Sequence, residues 1–119
     1  MDPTVSRPGE GERFERENRT ITIRSDLPGV SIMEFVFDDT FVVDPHTHAD
    51  HTDSFYVLEG EVEFTVGDDT LRVGPGTVVS VPPGARHGFR GVHGTARMLN
   101  FHAPDSGFTD SIRGFQQSS

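Results

Sequence analysis

The stretch from residue 19 to residue 102 is a series of short segments with β-type alternation, each ended by glycine or proline. Residues 61–66 alternate strictly between polar and apolar side chains, and Gly67-Asp68-Asp69 then forms a hairpin turn. Further breaks occur at Gly74-Pro75-Gly76 and at Pro82-Pro83-Gly84. Because no convincing helical period occurs before residue 104, the pattern predicts an all-β barrel or sandwich, with one short helix over residues 109–115.

Two of these segments differ in their expected burial. The segment with Ile21 and Ile23 alternates with polar residues, which predicts a half-buried strand. Residues 30–37 are apolar at both odd and even positions, a pattern typical of a strand buried between two layers.

The length of 119 residues leaves room for one domain. Residues 1–18 combine proline, glycine and alternating charges around one large aromatic residue, Phe14, and we predict a flexible tail there. The β-domain is expected over residues 19–104, followed by a C-terminal segment over residues 105–119.

The acidic balance of the chain restricts its partners. With 19 Asp and Glu against 10 Lys and Arg, the net charge is −9, which repels the phosphates of nucleic acids and anionic membrane surfaces. We therefore expect neither nucleic acid nor a membrane as a partner. The polar N-terminus lacks an apolar signal core and no apolar run is long enough for a membrane span, which predicts a soluble, cytoplasmic protein.

Four side chains form a candidate metal site. His46 and His48 are two residues apart, so on an extended strand their imidazoles lie on one face, about 7 Å apart. Asp53 begins the next apolar run, and His87 follows the Pro-Pro-Gly turn. Since the chain has no cysteine, a metal must use histidine, carboxylate or water. This donor set suits a divalent transition metal (Fe, Mn, Cu, Ni or Zn) and leaves positions for water or substrate.

The carboxylate position leaves alternatives open. Aspartate is one methylene shorter than glutamate, so Asp53 reaches a metal only if its strand moves inward or a water intervenes. His51 is a competing ligand three residues beyond His48, although its place before Asp53 favours an exposed turn. A metal-free barrel that uses the same cup to bind a ligand is the other alternative.

The first histidine segment resembles the first motif of the cupin superfamily, G-x5-H-x-H-x3or4-E-x6-G. His46, His48 and Gly60 stand at matching positions, while Thr40 replaces the first glycine and Asp53 replaces the glutamate.

The second histidine segment resembles the second cupin motif, G-x5-P-x-G-x2-H-x3-N. Gly76, Pro82, Gly84 and His87 match it, and Gly91 stands where asparagine is usual. The 15 residues between the motifs are typical of compact single-domain members, and the resemblance covers about residues 20–103. It implies a double-stranded β-helix, the cupin jelly-roll barrel.

Residues 97–102 form a strand that we expect to contribute to the interior. Alternation places Met98, Asn100 and His102 on one face and Arg97 on the other, and burying an unpaired arginine in a small barrel is costly. We predict catalytic roles for Asn100 and His102, the latter as a general acid or base, unless His102 lies solvated at the strand's end. The expected pocket-lining residues are Phe55, Val57, Phe89 and Met98, although Phe55 and Val57 also suit a core.

The resemblance implies a small metal-dependent enzyme that acts on a small organic molecule. Dioxygenase chemistry is the first expectation because it is common in the family, and isomerase or lyase chemistry is the alternative. A non-catalytic module that binds a small ligand is the third reading. The resemblance also implies a homodimer, for which the strand with Ile21 and Ile23 and the exposed sheet edges are the expected contacts.

Overall fold

The computed structural model describes the backbone of residues 1–118 and the side chains of residues 1–114. It contains ten strands and one helix: β1 Glu12–Arg16, β2 Arg19–Leu27, β3 Val30–Phe37, β4 Val42–His46, β5 Thr52–Glu59, β6 Val62–Val66, β7 Asp69–Val73, β8 Val78–Val81, β9 His87–Gly91, β10 Ala96–Ala103 and α1 Phe108–Ser118. The predictions of an all-β fold and a short C-terminal helix are confirmed.

The strands form two antiparallel sheets. Six strands make one sheet in the order β1-β2-β3-β10-β5-β8, and four make the other in the order β4-β9-β6-β7. Side chains that face inward from both sheets alternate with outward polar ones, which is the pattern of a jelly-roll sandwich.

The prediction of a flexible tail over residues 1–18 is wrong for residues 12–16, which form strand β1. Residues Glu12–Arg16 pair with β2 across the short turn that ends at Arg19. The alternating charges of β1 concealed this strand, because Phe14 is the side chain that packs against the core while its neighbours face outward. Strand β2 is therefore paired along both edges, and Ile23 is buried in the core.

Strand β3 is buried on one face only. Ser31, Met33, Phe35 and Phe37 are buried, whereas the residues between them are partly exposed. The expectation of burial between two layers is wrong for the outer face, where Glu34 forms ion pairs with Arg24 and Arg97.

The core between the sheets is rich in phenylalanine. The ring centroids of Phe37 and Phe89 are 5.6 Å apart, and those of Phe55 and Phe64 are 5.1 Å apart in an edge-to-face arrangement. Such pairs are favourable beyond their burial, so this cluster joins the two sheets firmly.

The register between β5 and β10 determines which inward-facing side chains lie at the same depth in the interior. His102 is paired with Asp53, Asn100 with Phe55, and Met98 with Val57. The interior therefore changes from polar at the His102 level to apolar at the Met98 level.

Helix α1 packs against one end of the sandwich. Ile112 and Thr109 are buried, and the Thr109 hydroxyl donates to the Asp26 carboxylate. The Phe108 ring stacks parallel to Phe35 at 6.3 Å. Among the described residues, no helix has the length and apolar character needed to cross a lipid bilayer.

Candidate metal centre

The two histidine segments meet where β4 and β9 pair. His46 at the end of β4 is the register partner of His87 at the start of β9. The pairing is irregular between Val43 and His46, and His48, just beyond β4, lines the same cavity as His46 and His87. The structure therefore brings together side chains that lie about forty residues apart.

The donor atoms of His46, His48, Asp53 and His87 converge within 4.8 Å of one another. Nε2 of His46 is 2.9 Å from Nε2 of His48, and Nε2 of His87 is 2.9 Å from Oδ2 of Asp53. Oδ2 of Asp53 is also 3.7 Å from Nε2 of His48. Separations of this size between donors are those expected around one ion whose bonds to nitrogen and oxygen are about 2 Å long.

The Nδ1 atoms of His46 and His87 already have hydrogen-bond partners. Nδ1 of His46 is 2.8 Å from the Asp44 carbonyl oxygen, and Nδ1 of His87 is 3.0 Å from the Ala85 carbonyl oxygen. Because Nδ1 must donate to these carbonyls, each imidazole in its neutral form carries the lone pair on Nε2, which faces the centre. Metal-binding histidines are generally oriented in this way, so these residues fit a divalent transition metal.

Asp53 is held in place from two sides. Its Oδ1 accepts a hydrogen bond from Nδ2 of Asn100 at 2.6 Å, and Nε2 of His102 lies 3.3 Å from the same oxygen. Although burial alone would raise the pKa of Asp53, hydrogen bonds from His102, His87 and Asn100 keep it far below its usual value. The carboxylate is therefore ionised and reaches the histidines despite its shorter side chain.

The histidine pKa values show how protons compete with a metal here. Burial, together with the imidazoles of His51 and His46, lowers the pKa of His48 to about 4. Burial would also lower the pKa of His87, but hydrogen bonds to Asp53 and to the Ala85 carbonyl raise it above its usual value. His48 is thus a neutral ligand near pH 7, whereas the raised pKa of His87 makes protons compete more strongly with a metal at that residue.

The candidate metal centre opens into a cavity of about 520 Å³. Six phenylalanines contribute most of the apolar wall: Phe14, Phe35, Phe41, Phe55, Phe89 and Phe108. Two cations, Arg16 and Arg19, also line it, and the Arg19 guanidinium lies 5.4 Å from the Phe41 ring centre. The cavity thus combines an apolar wall, a group of metal ligands and a positive region.

The predicted site residues occupy two layers of the interior. Phe55, Phe89, Asn100 and His102 line the cavity, and His102 is only 4% exposed rather than solvated. Val57 and Met98 were expected to line the pocket, but the cavity lining does not include them. Both are fully buried, because they fill the apolar layer beneath the Phe55 and Asn100 level.

The interpretation of His51 as an exposed turn residue is wrong. The side chain is only 3% exposed, and its ring lies 4.3 Å from that of His48 and 4.7 Å from that of His102. Four cavity residues were not predicted from the sequence: Phe14 and Arg16 on β1, and Phe108 and Ile112 on α1. The spacing of two residues between Phe14 and Arg16, which places them on the same face of a strand, was the signal that could have identified the first pair.

Solved structures with this fold include several cupins. KdgF from Halomonas sp. aligns with a TM-score of 0.81 at 20% identity, over 89% of this chain and 99% of that one. An RmlC-like cupin from Shewanella frigidimarina aligns with a TM-score of 0.80 at 18% identity, over 91% and 96%. A Streptomyces Pac13 variant with uridine aligns with a TM-score of 0.70 at 19% identity, over 91% and 88%.

Family membership follows from the sequence itself. No curated protein matches the chain. The sequence model of the Cupin domain family matches residues 34–102, which span both histidine segments and every residue of the candidate metal centre. With the two-sheet fold and the converging histidines, this match confirms that the chain belongs to the cupin family.

Proposed function

We propose that the protein is a metal-dependent enzyme that transforms a small organic molecule inside the phenylalanine-lined cavity. The observation that carries this proposal is the convergence of His46, His48, His87 and Asp53 at the wall of that cavity. A metal held there would face a bound molecule directly, with coordination positions left for water or substrate.

The first reaction class that we propose is dioxygenation. A redox-active metal on this nitrogen and oxygen donor set supplies dioxygen activation when it is bound. Both oxygen atoms would enter the substrate, so no external reductant is required. The apolar wall formed by residues such as Phe35 and Phe89 supports this chemistry, because apolar side chains bind water weakly and a bound substrate would displace it from the reactive site.

The cavity chemistry favours an apolar or aromatic substrate that carries an anionic group. The phenylalanine wall would pack against the apolar part. Arg16 and Arg19 would attract a carboxylate in a protein whose net charge is otherwise −9.

Asn100 and His102 are the proposed catalytic partners of the metal. Asn100 would hold the Asp53 carboxylate in its ligating orientation through the 2.6 Å hydrogen bond. His102 lines the cavity and would exchange a proton with the bound substrate through Nε2.

Isomerase or lyase chemistry is the second candidate, and the buried position of His102 supports it. A titratable group in the cavity wall beside a Lewis-acid site is what proton abstraction from a substrate requires. Pac13, which shares the fold, is described as a nucleoside dehydratase.

A reconstitution experiment tests the proposal. Protein purified without a histidine tag is stripped with a chelator, reloaded separately with Fe²⁺, Mn²⁺, Cu²⁺, Ni²⁺ or Zn²⁺, and incubated with aromatic and aliphatic carboxylic acids. Oxygen uptake and product mass are measured, with His87→Ala as the control. Metal-dependent oxygen uptake supports dioxygenation, and a product formed without oxygen uptake supports isomerisation or elimination. Ligand binding unchanged by chelation, without turnover, would indicate a binding module and contradict the proposal.

A further inference from the structure

His51 is a buried imidazole with one nitrogen that has no partner. Its Nδ1 lies 2.9 Å from a carboxylate oxygen of Asp50, to which it donates. Its Nε2 is buried and makes no hydrogen bond with any of the residues that the structure describes. A buried lone pair without a hydrogen-bond partner is unfavourable, so this nitrogen is available to bind a metal ion.

The His51 imidazole is held as metal-binding histidines are held. A carboxylate on Nδ1 fixes the ring orientation and the tautomer in which Nε2 carries the lone pair. Asp50 supplies this carboxylate from the surface, where it is exposed, while the His51 ring is 3% exposed.

Two further donors face the same space. The ligand atoms of His51, Asp53 and His102 all lie within 4.8 Å of one another, and all three residues are buried. Nδ1 of His102 is 2.6 Å from the Ser106 hydroxyl oxygen. In the tautomer in which Nδ1 donates to that oxygen, Nε2 carries the lone pair, so a cation there takes the place of the proton that His102 shares with Asp53. Nε2 lies 3.3 Å from Oδ1 of Asp53.

The two oxygens of Asp53 face different groups of histidines. Oδ2 is 2.9 Å from Nε2 of His87 in the centre described above, whereas Oδ1 is the oxygen beside Nε2 of His102. One carboxylate is therefore placed to ligate two ions, one through each oxygen.

We infer that His51, Asp53 and His102 form a second site for a divalent transition-metal ion, and that Asp53 bridges it to the first ion. Two imidazoles and one carboxylate suit Fe²⁺, Co²⁺ or Zn²⁺. With three protein ligands against four, the second site binds its ion more weakly than the first. Its occupation uses the Nε2 lone pair of His102, so a filled second site and proton transfer by His102 exclude each other.

The test counts ions and does not depend on finding a substrate. The full chain without a histidine tag is stripped with a chelator and titrated with Co²⁺, whose absorption and electron paramagnetic resonance spectra report coordination. Metal content after desalting gives the number of bound ions. The variants are His51→Ala and His51→Gln, with circular dichroism as the check that each is folded, and His93→Ala is the control on an exposed histidine.

The expected result is two bound Co²⁺ ions per wild-type chain, with magnetic coupling between them as the second site fills. Either folded His51 variant should bind one ion without coupling, while His93→Ala behaves as wild type. A wild-type chain that saturates at one ion overturns the inference. A second ion that shows no coupling and survives the His51 substitutions also overturns it, since that ion would lie elsewhere on the acidic surface. The coupling measurement on wild-type protein decides the question even if both His51 variants fail to fold.

Discussion

The amide of Asn100 and the carboxylate of Asp53 are 2.6 Å apart, across the register that joins β10 to β5. Asn100 also donates to the Ser54 carbonyl oxygen at 3.0 Å. With both hydrogens of the amide used, Asn100 cannot rotate freely, and Asp53 is fixed with Oδ2 toward the histidines.

We therefore predict that Asn100→Ala weakens metal binding while the fold is retained. Loss of a hydrogen-bond partner of a ligand typically lowers metal affinity by about 10- to 100-fold. Competition with a chromophoric chelator measures this change. Ser54→Ala is the matched control, because the Ser54 hydroxyl points outward to Ser80 and away from the metal centre. Equal affinities for Asn100→Ala and wild type would show that Asp53 needs no such support.

The three histidines of the first centre should behave as a unit. Since each supplies one of few coordination bonds, His46→Ala, His48→Ala and His87→Ala should each lose most of the bound metal. Metal content per chain after desalting is the measurement. His93→Ala should retain wild-type content, because its side chain is 72% exposed and is not among the described residues that line the cavity. Wild-type content in all three variants would rule out the site.

Much of this arrangement could be read from the sequence, and the reasons for the exceptions are physical. The period-two pattern located nearly every strand, and the motif spacing brought His46, His48, Asp53 and His87 together. The alternation of β10 correctly placed Asn100 and His102 on the inward face.

Sequence reasoning failed where only the three-dimensional packing decides. The charged residues of β1 hide a strand whose single inward aromatic is Phe14. His51 follows two exposed residues, and only the packing of β10 beside it shows that it is buried. Phe55 and Val57 lie on the same face of β5, but only Phe55 lines the cavity. How deep the cavity extends along this face depends on how the side chains of the opposite sheet fill the interior.

Gly60 at the end of β5 should tolerate no side chain. Its φ is +79°, and a Cβ atom would lie 2.5 Å from the Thr95 carbonyl oxygen. We expect Gly60→Ala to lower the free energy of unfolding by about 2 to 4 kcal/mol, because backbone strain adds to the clash. Gly67→Ala is the control, since Gly67 has φ +60° in open space and only the strain of about 1 kcal/mol applies. Urea unfolding compares the two, and equal losses would contradict the clash argument.

The ion pairs of Glu34 should make stability depend on pH. Burial would raise the pKa of Glu34, but hydrogen bonds from Arg97 and Arg24 lower it below its usual value. The unfolded chain therefore binds a proton more readily, and the stabilisation is complete above the unfolded pKa and is lost as the pH falls through the folded pKa. We expect Glu34→Gln to cost about 1 to 2 kcal/mol at neutral pH. Urea unfolding should show this difference shrinking as the pH falls through the lowered folded-state pKa of Glu34, below which Glu34 is protonated in both states. If the difference in the free energy of unfolding between wild type and Glu34→Gln does not change with pH, the destabilisation comes from packing and not from the ion pairs.

We also expect the protein to form a homodimer, through an exposed sheet edge, which is one of the two contacts predicted from the sequence. Strand β2, with Ile21 and Ile23, is covered on both edges by β1 and β3 and has no free edge. Strand β8 is a sheet edge, and its Val78 is 60% exposed beside its register partner Tyr56, which is 37% exposed. An unpaired edge with exposed apolar side chains favours pairing with a second chain. Light scattering should give about twice the mass of 13.1 kDa, and Val78→Lys should lower it to that of one chain. Val5→Lys, at an exposed position outside the sheets, is the control. A mass of one chain for the wild type throughout a dilution series would show that this edge stays unpaired.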